Sequence, residues 1–297
     1  MSRPLAVFLL ILCTMLWGFA FIAQKTAMAA MGPLTFSAAR YFLGGILVAP
    51  LALLEYNRQH RNGVRITNRQ WFRICVLSLA FFLGSWLQQA AMQTASVTNG
   101  GFLTSLYVIF TPVVVYFTAR SRPHPIIYLG APLALVGIYL LTGANLDHLT
   151  FGDRMLVACA LCWAVQVAML GALAQETGMP IAISTITIFA AALLSTAGAF
   201  LLEQPTIEAL NAGWIELAYT GVLSTAVAFT LQAVGQRYVP PSNAAIILST
   251  EALFAAFGGA LLLHERLAPV SYIGAALIFA AVIIVELVPN LKKRNGG

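Results

Sequence analysis

Glu251 sits in the middle of the apolar run 241–262, and no other acidic residue of the sequence lies so deep in such a run. Held out of water, an acidic side chain costs about 2–3.5 kcal/mol unless it faces a water-filled path, meets a partner or carries a proton. Glu251 could therefore accept a substrate ammonium, carry a coupling proton, pair with Arg40, or serve as a structural polar anchor. Arg40 is the basic residue well inside a run, about two turns from one end of 33–54. Its depth suits gating or structural pairing better than binding. Trp17 and Trp163 fall near the middle of 5–25 and 153–174. Paired indole rings would give a π-rich wall for an aromatic or cationic group, each contact worth ~0.5–2 kcal/mol, or else simply fill a core. Tyr107 stands at matching depth in 97–119, 144 positions before Glu251.

Neutral groups complete the candidate set. Gln89 and Ser249 join Trp17, Trp163, Tyr107 and Glu251 as expected substrate contacts, within a wider group of Gln88, Gln93, Gln166, Gln232, Ser105, Ser224, Thr225 and Thr250. Hydroxyls in apolar helices often bond only their own backbone carbonyls, which weakens the case for each as a ligand. Asn99 and Asn243 occupy matching helix starts and are expected, with Arg40, to be gating or structural residues, the asparagines capping exposed N–H groups.

No catalytic cluster accompanies these residues. The sequence has no intramembrane His, no carboxylate pair, no Ser/His arrangement and no phosphate-cradling glycine loop, so an enzyme or an ATP-coupled machine is not expected. His60, His124, His148 and His264 fall between the apolar runs, and Cys13, Cys75, Cys159 and Cys162 fall inside them. Cys159 and Cys162 read as two small core residues on one helix face, because a redox or zinc motif needs an accessible polar setting. No metal or other cofactor is expected.

Side chains of this kind at this depth need a bilayer around them. Of 297 residues, 60% are hydrophobic and 9% charged, whereas soluble domains carry roughly 25% charged residues. Apolar runs of ~20 residues recur along the whole chain, the length that crosses a hydrocarbon core as a helix. They predict ten spans, at 5–25, 33–54, 71–93, 97–119, 126–142, 153–174, 181–202, 213–236, 241–262 and 269–288. The expected fold is an all-α integral membrane domain without a soluble part, its N-terminal run being the first span and not a signal peptide. The net charge of +6 then reflects basic loops and not nucleic-acid binding.

Lys and Arg set the orientation. Arg3, Arg58, Arg61, Arg65, Arg69, Arg73, Arg120, Arg122, Arg237, Lys292, Lys293 and Arg294 fall on one side, against Lys25, Arg154 and Arg266 on the other. Both termini are therefore expected in the cytoplasm of a bacterial inner-membrane protein.

The sequence also repeats itself. Trp71, Gln89 and Gln93 recur 143 positions later as Trp214, Gln232 and Gln236. Pro125, Tyr128, Gly130 and Ala131 recur 144 positions later as Pro269, Tyr272, Gly274 and Ala275, and Trp17 matches Trp163. Two halves, 1–145 and 150–290, each hold five spans. An odd number of spans makes the second half enter the membrane from the opposite side, giving an inverted repeat of the kind secondary transporters use for alternating access. A channel or an assembly subunit is the competing class, and it fits mixed aromatic and polar midplane residues less well.

Several short motifs resemble the drug/metabolite transporter superfamily, in particular its EamA-type ten-helix exporters. They are Leu16-Trp17-Gly18, Ala39-Arg40-Tyr41-Phe42, the run 101–107 with Thr111-Pro112, and the stretch from Asn243 through Ser249-Thr250-Glu251 to Leu262-Leu263-His264-Glu265-Arg266-Leu267. The resemblance implies a carrier that exports amino acids, including aromatic or hydrophobic ones, with YddG-like amino-acid exporters the first group for comparison. Organic cations, drugs or purine-like metabolites are the alternative cargo, and a coupling proton, a monomer and a lipid bilayer are the other expected associations. Many relatives follow the ninth-span Glu with Pro; here Ala252 follows Glu251, so no proline kink is implied at that point.

Overall fold

Apolar runs separated by a few polar residues fold as helices because a bilayer leaves backbone groups no partner but each other. The structure, a computed structural model, describes residues 1–95, 97–119, 123–143, 149–262 and 267–294. Arg120, Arg122, Asp147, His148, Leu263, His264, Glu265 and Arg266 lie outside the described residues. In chain order the helices are α1 (Arg3–Ala27), α2 (Pro33–Arg61), α3 (Asn68–Ala91), α4 (Val97–Thr104), α5 (Tyr107–Ala119), α6 (Ile127–Thr142) and α7 (Phe151–Thr177). There follow α8 (Pro180–Leu202), α9 (Ile207–Ala212), α10 (Trp214–Ala218), a π-helical stretch Tyr219–Ala228, α11 (Phe229–Gln236), α12 (Pro241–Leu248), α13 (Glu251–Leu262) and α14 (Pro269–Arg294).

Among the described residues nine continuous or jointed helices are long and apolar enough to cross a membrane, and α6, 16 residues long, is a shorter tenth. The fold is thus the expected all-α membrane bundle. Local sequence sets the helix ends. Proline opens α2, α8 and α12, where a missing N–H costs nothing. Thr67 with Gln70, and Thr150 with Asp153, form capping boxes at the starts of α3 and α7. Trp71 and Trp214, near the starts of α3 and α10, are exposed, as ring systems at a membrane boundary should be.

Two expected spans are not continuous. The fourth divides into α4 and α5 at Ser105-Leu106, and the ninth into α12 and α13 at Ser249-Thr250. At each joint the backbone tightens to three-residue hydrogen bonds, such as Val108 N to Ser105 O at 3.0 Å and Leu253 N to Thr250 O at 2.9 Å. Hydroxyls follow the backbone: Ser249 Oγ donates to Ile246 O at 2.8 Å and Thr250 Oγ1 to Ile247 O at 2.7 Å. The ninth span therefore bends without the proline that the motif lacks, through side-chain oxygens that compete for helical carbonyls.

α2 lies along α8, α6 along α14, α3 along α7, and α1 against α13. A side chain at Gly18 would come within 2.7 Å of the Glu251 carbonyl oxygen, so α1 and α13 touch through backbone beside Trp17. The α2–α8 pair is tied at both ends. Glu203, just past α8, accepts from Leu34 N (2.9 Å) and Thr35 N (2.8 Å) at the start of α2, and Glu55 of α2 accepts from Ala182 N (2.8 Å) at the start of α8. Each carboxylate thereby satisfies helix-start N–H groups on its partner, where the helix dipole favours negative charge.

Candidate functional site

The two broken helices meet around a cavity. The cavity and its opening together take in about 540 Å3 of atom-free space, lined by residues of α1, α2, α3, α4, α5, α7, the π-helical stretch, α11, α12 and α13. Trp17, Trp163, Tyr107, Glu251 and Arg40 all line it, so five of the nine residues singled out from sequence converge there. Tyr107 and Glu251 are the first residues of α5 and α13, each opening the second half of a broken helix.

Aromatic rings form one wall. Phe229, the first residue of α11, sits between the tryptophans, its centroid 4.9 Å from Trp17 and 6.3 Å from Trp163. Phe81 joins at 5.4 Å from Trp163 and 4.9 Å from Phe229, and Tyr41 packs on Phe81 at 5.2 Å. Both indole N–H groups are held. Trp17 Nε1 donates to the Ser224 carbonyl at 3.0 Å, inside the π-helical stretch, and Trp163 Nε1 to Gln88 Oε1 at 2.8 Å. A π-helical turn shifts carbonyls off the usual ladder, which suits a site that must present one to a side chain.

The polar wall holds two charges. Glu251 is 6% exposed and the buried Tyr107 hydroxyl faces its carboxyl, although neither Glu251 Oε1 nor the Tyr107 hydroxyl has a partner at full hydrogen-bond geometry. Arg40 is 4% exposed; its Nη2 donates to Tyr41 Oη at 2.8 Å and to Ser85 Oγ at 3.1 Å, and its Nε is unpartnered. Tyr41 Oη and Ser85 Oγ also hydrogen-bond each other. The guanidinium further rests on the Phe36 and Tyr41 rings, 5.2 and 4.6 Å from their centroids. Among the described residues neither Arg40 nor Glu251 is in an ion pair; the pairs present join Arg3 to Glu286 and Arg73 to Glu176.

Paired amides bracket this chamber. Gln88 Nε2 donates to Gln24 Oε1 at 3.1 Å, near the C-terminal ends of α1 and α3. Gln166 and Gln232, near the middle of α7 and of α11, exchange hydrogen bonds of 3.2 and 3.1 Å.

The remaining candidates lie beside the cavity and not on its lining. Gln89 donates to the Gln24 carbonyl at 2.8 Å, and Ser249 spends its hydroxyl on its own helix. Asn99 donates to Asp153 Oδ1 at 3.1 Å, and Asn243 to Val285 O and Glu286 Oε1, both at 3.2 Å. Both asparagines thus tie helix starts to neighbouring helices. Residues with no individual role in the sequence reading complete the lining, notably Phe229, Tyr41, Gln24 and Phe21. Helical spacing carried a signal for Phe229, which precedes Gln232 by three positions and follows Thr225 by four on one face.

Comparison with known proteins agrees with this architecture. The EamA-like transporter family profile matches twice, over residues 4–143 and 150–287. An uncharacterized transporter of Archaeoglobus fulgidus is 31% identical over 94% of this chain and 84% of its own length. An S-adenosylmethionine/S-adenosylhomocysteine transporter of Chlamydia trachomatis is 26% identical over 95% of this chain and 87% of its own. The threonine/homoserine exporter RhtA of Salmonella typhimurium is 24% identical over 61% of each chain. A solved crystal structure at 19% identity superposes over the full length of both chains with a TM-score of 0.78, which shows a shared fold.

Proposed function

Because the chain belongs to the EamA-like transporter family and is a multi-pass membrane transporter, we propose that it is a secondary carrier exporting amino acids, aromatic or hydrophobic ones included, by alternating access. The observation that carries this reading is the cavity that brings Trp17, Trp163, Arg40 and Glu251 together where two helices break. Small-molecule sites of this kind are apolar chambers with a few convergent polar groups, and transporters place them at interrupted helices. Threonine, homoserine, S-adenosylmethionine and S-adenosylhomocysteine, the cargoes in the relatives' names, share an α-ammonium and an α-carboxylate. An organic cation is the second reading, favoured by the indole wall and Glu251, but it leaves Arg40 without a use.

The two halves, 1–145 and 150–290, act in this reading as inverted five-helix repeats rocking about the cavity. The double match of the family profile, the helix joints 144 positions apart at Ser105 and Ser249, and the reciprocal Glu55 and Glu203 caps support it. Glu251 also carries the coupling proton, and the chain works as a monomer. Proteoliposomes containing the purified chain should take up labelled l-phenylalanine, l-threonine or S-adenosylmethionine; no flux of any of them would contradict amino-acid transport.

The orientation belongs to the same proposal, with both termini in the cytoplasm of the bacterial inner membrane. A reporter fused after Lys293 and another inserted between Arg58 and Arg65 should both read as cytoplasmic, while a Cys replacing Glu208 should label from outside. An external signal from either reporter would overturn this topology.

A further inference from the structure

Arg40 and Glu251 line one cavity, are both almost fully buried, and do not pair with each other. That arrangement is costly. A guanidinium and a carboxylate inside a bundle normally neutralise one another or meet other charges, because an isolated buried charge loses its hydration without compensation. Here Arg40 is held by two neutral hydroxyls and two ring faces, with Nε left over, while Glu251 faces the neutral Tyr107 hydroxyl and keeps Oε1 without a full hydrogen bond. The hydroxyls of Tyr41 and Ser85 fix the guanidinium in place and contribute no countercharge.

We propose that Arg40 and Glu251 form a dipolar recognition site, in which Arg40 takes the α-carboxylate of an amino-acid head and Glu251 takes its α-ammonium. A ligand carrying both charges compensates both residues at once. A ligand with one charge leaves the other residue buried and unmatched, so the site rejects amines and acids that share the same side chain. Arg is suited to the carboxylate because its fork donates several parallel N–H groups and stays charged in an apolar setting. The ammonium end lies at Glu251, the first residue of α13, whose Oε1 has no protein hydrogen bond and is open to a donor. The side chain of the substrate then faces the rings of Trp17, Phe229 and Trp163, which allows varied side chains on a constant head.

This assignment rests on the proposed amino-acid carrier role, and the test separates the two. Uptake of labelled l-phenylalanine into proteoliposomes is measured slightly below neutral pH against unlabelled l-phenylalanine, l-phenylalaninamide, which lacks the carboxylate, and 3-phenylpropionate, which lacks the ammonium. On the unaltered protein both analogues should compete tenfold to hundredfold more weakly than l-phenylalanine, the range for losing a hydrogen bond to a charged group. In Arg40→Gln the amide should compete as well as phenylalanine, and in Glu251→Gln the propionate should gain in the same way; Arg40→Lys should restore part of the discrimination. Phenylalanine uptake with equal competition by both analogues overturns the dipolar site and leaves the carrier role standing. No uptake of phenylalanine, threonine or S-adenosylmethionine overturns the carrier role and this assignment with it.

Discussion

Glu251→Gln should abolish accumulation of substrate driven by a pH gradient while leaving exchange of labelled for unlabelled substrate at saturating concentration largely in place. The carboxylate is 6% exposed and has no cation beside it among the described residues, so in every step of a transport cycle it must hold either a proton or a positive group from the substrate. Competition between the two for one oxygen pair is sufficient for coupling. The loaded carrier crosses with the ammonium on Glu251, and the empty carrier returns with a proton in its place, so outward substrate flux is tied to inward proton flux. Gln cannot be protonated in this range and removes the charge at nearly constant shape. Affinity should fall, so exchange persists only at saturating substrate, and the pH drive should vanish altogether. A Glu251→Gln carrier that still concentrates substrate against its gradient in response to pH would show that Glu251 is a structural anchor and that protons, if coupled, travel elsewhere.

Trp17→Ala and Trp163→Ala should each weaken transport of l-phenylalanine roughly tenfold, about 1.4 kcal/mol, with equal amounts of folded protein. The magnitude follows from loss of one aromatic contact with the substrate, ~0.5–1.5 kcal/mol, together with loss of packing against Phe229. Trp17→Phe separates ring from N–H. It should recover most of the aromatic contact while giving up the bond to the Ser224 carbonyl. Threonine flux should change less in all three variants, because its side chain offers the rings little surface. Unchanged phenylalanine flux at equal expression would make the two tryptophans core filling.

Depth in an apolar run was enough to find the two charged members of the cavity and three of its six aromatic ones. Glu251, Arg40, Trp17, Trp163 and Tyr107 are rare residue types at rare positions, and burying them has a cost that marks them in the sequence itself. Amides and hydroxyls are a different matter. Gln88 and Gln89 are neighbours of one type at one depth, yet they point to different faces of α3, and only Gln88 reaches the cavity. Ser249 was legible as a polar residue near the midplane, but its hydroxyl bends its own helix, an outcome set by backbone geometry that composition does not carry. Phe229 went unread for the opposite reason. Phenylalanine is ordinary in a membrane helix, and only the packing of α11 between α1 and α7 turns this one into a divider of the two indoles. The joints at Ser105-Leu106 and Ser249-Thr250 contain neither glycine nor proline, so no breaker residue announced them. Pro112, five residues after Tyr107, lies inside α5 and past the first joint.

A substrate site that opens to each face in turn should support solute counterflow. Proteoliposomes preloaded with unlabelled l-phenylalanine and diluted into a trace of labelled l-phenylalanine should accumulate label transiently above the outside concentration, then lose it as the unlabelled gradient runs down. The overshoot requires a saturable site that faces one side at a time. Label that enters and equilibrates without overshoot would mean a channel, and the alternating-access account of this chain would be contradicted.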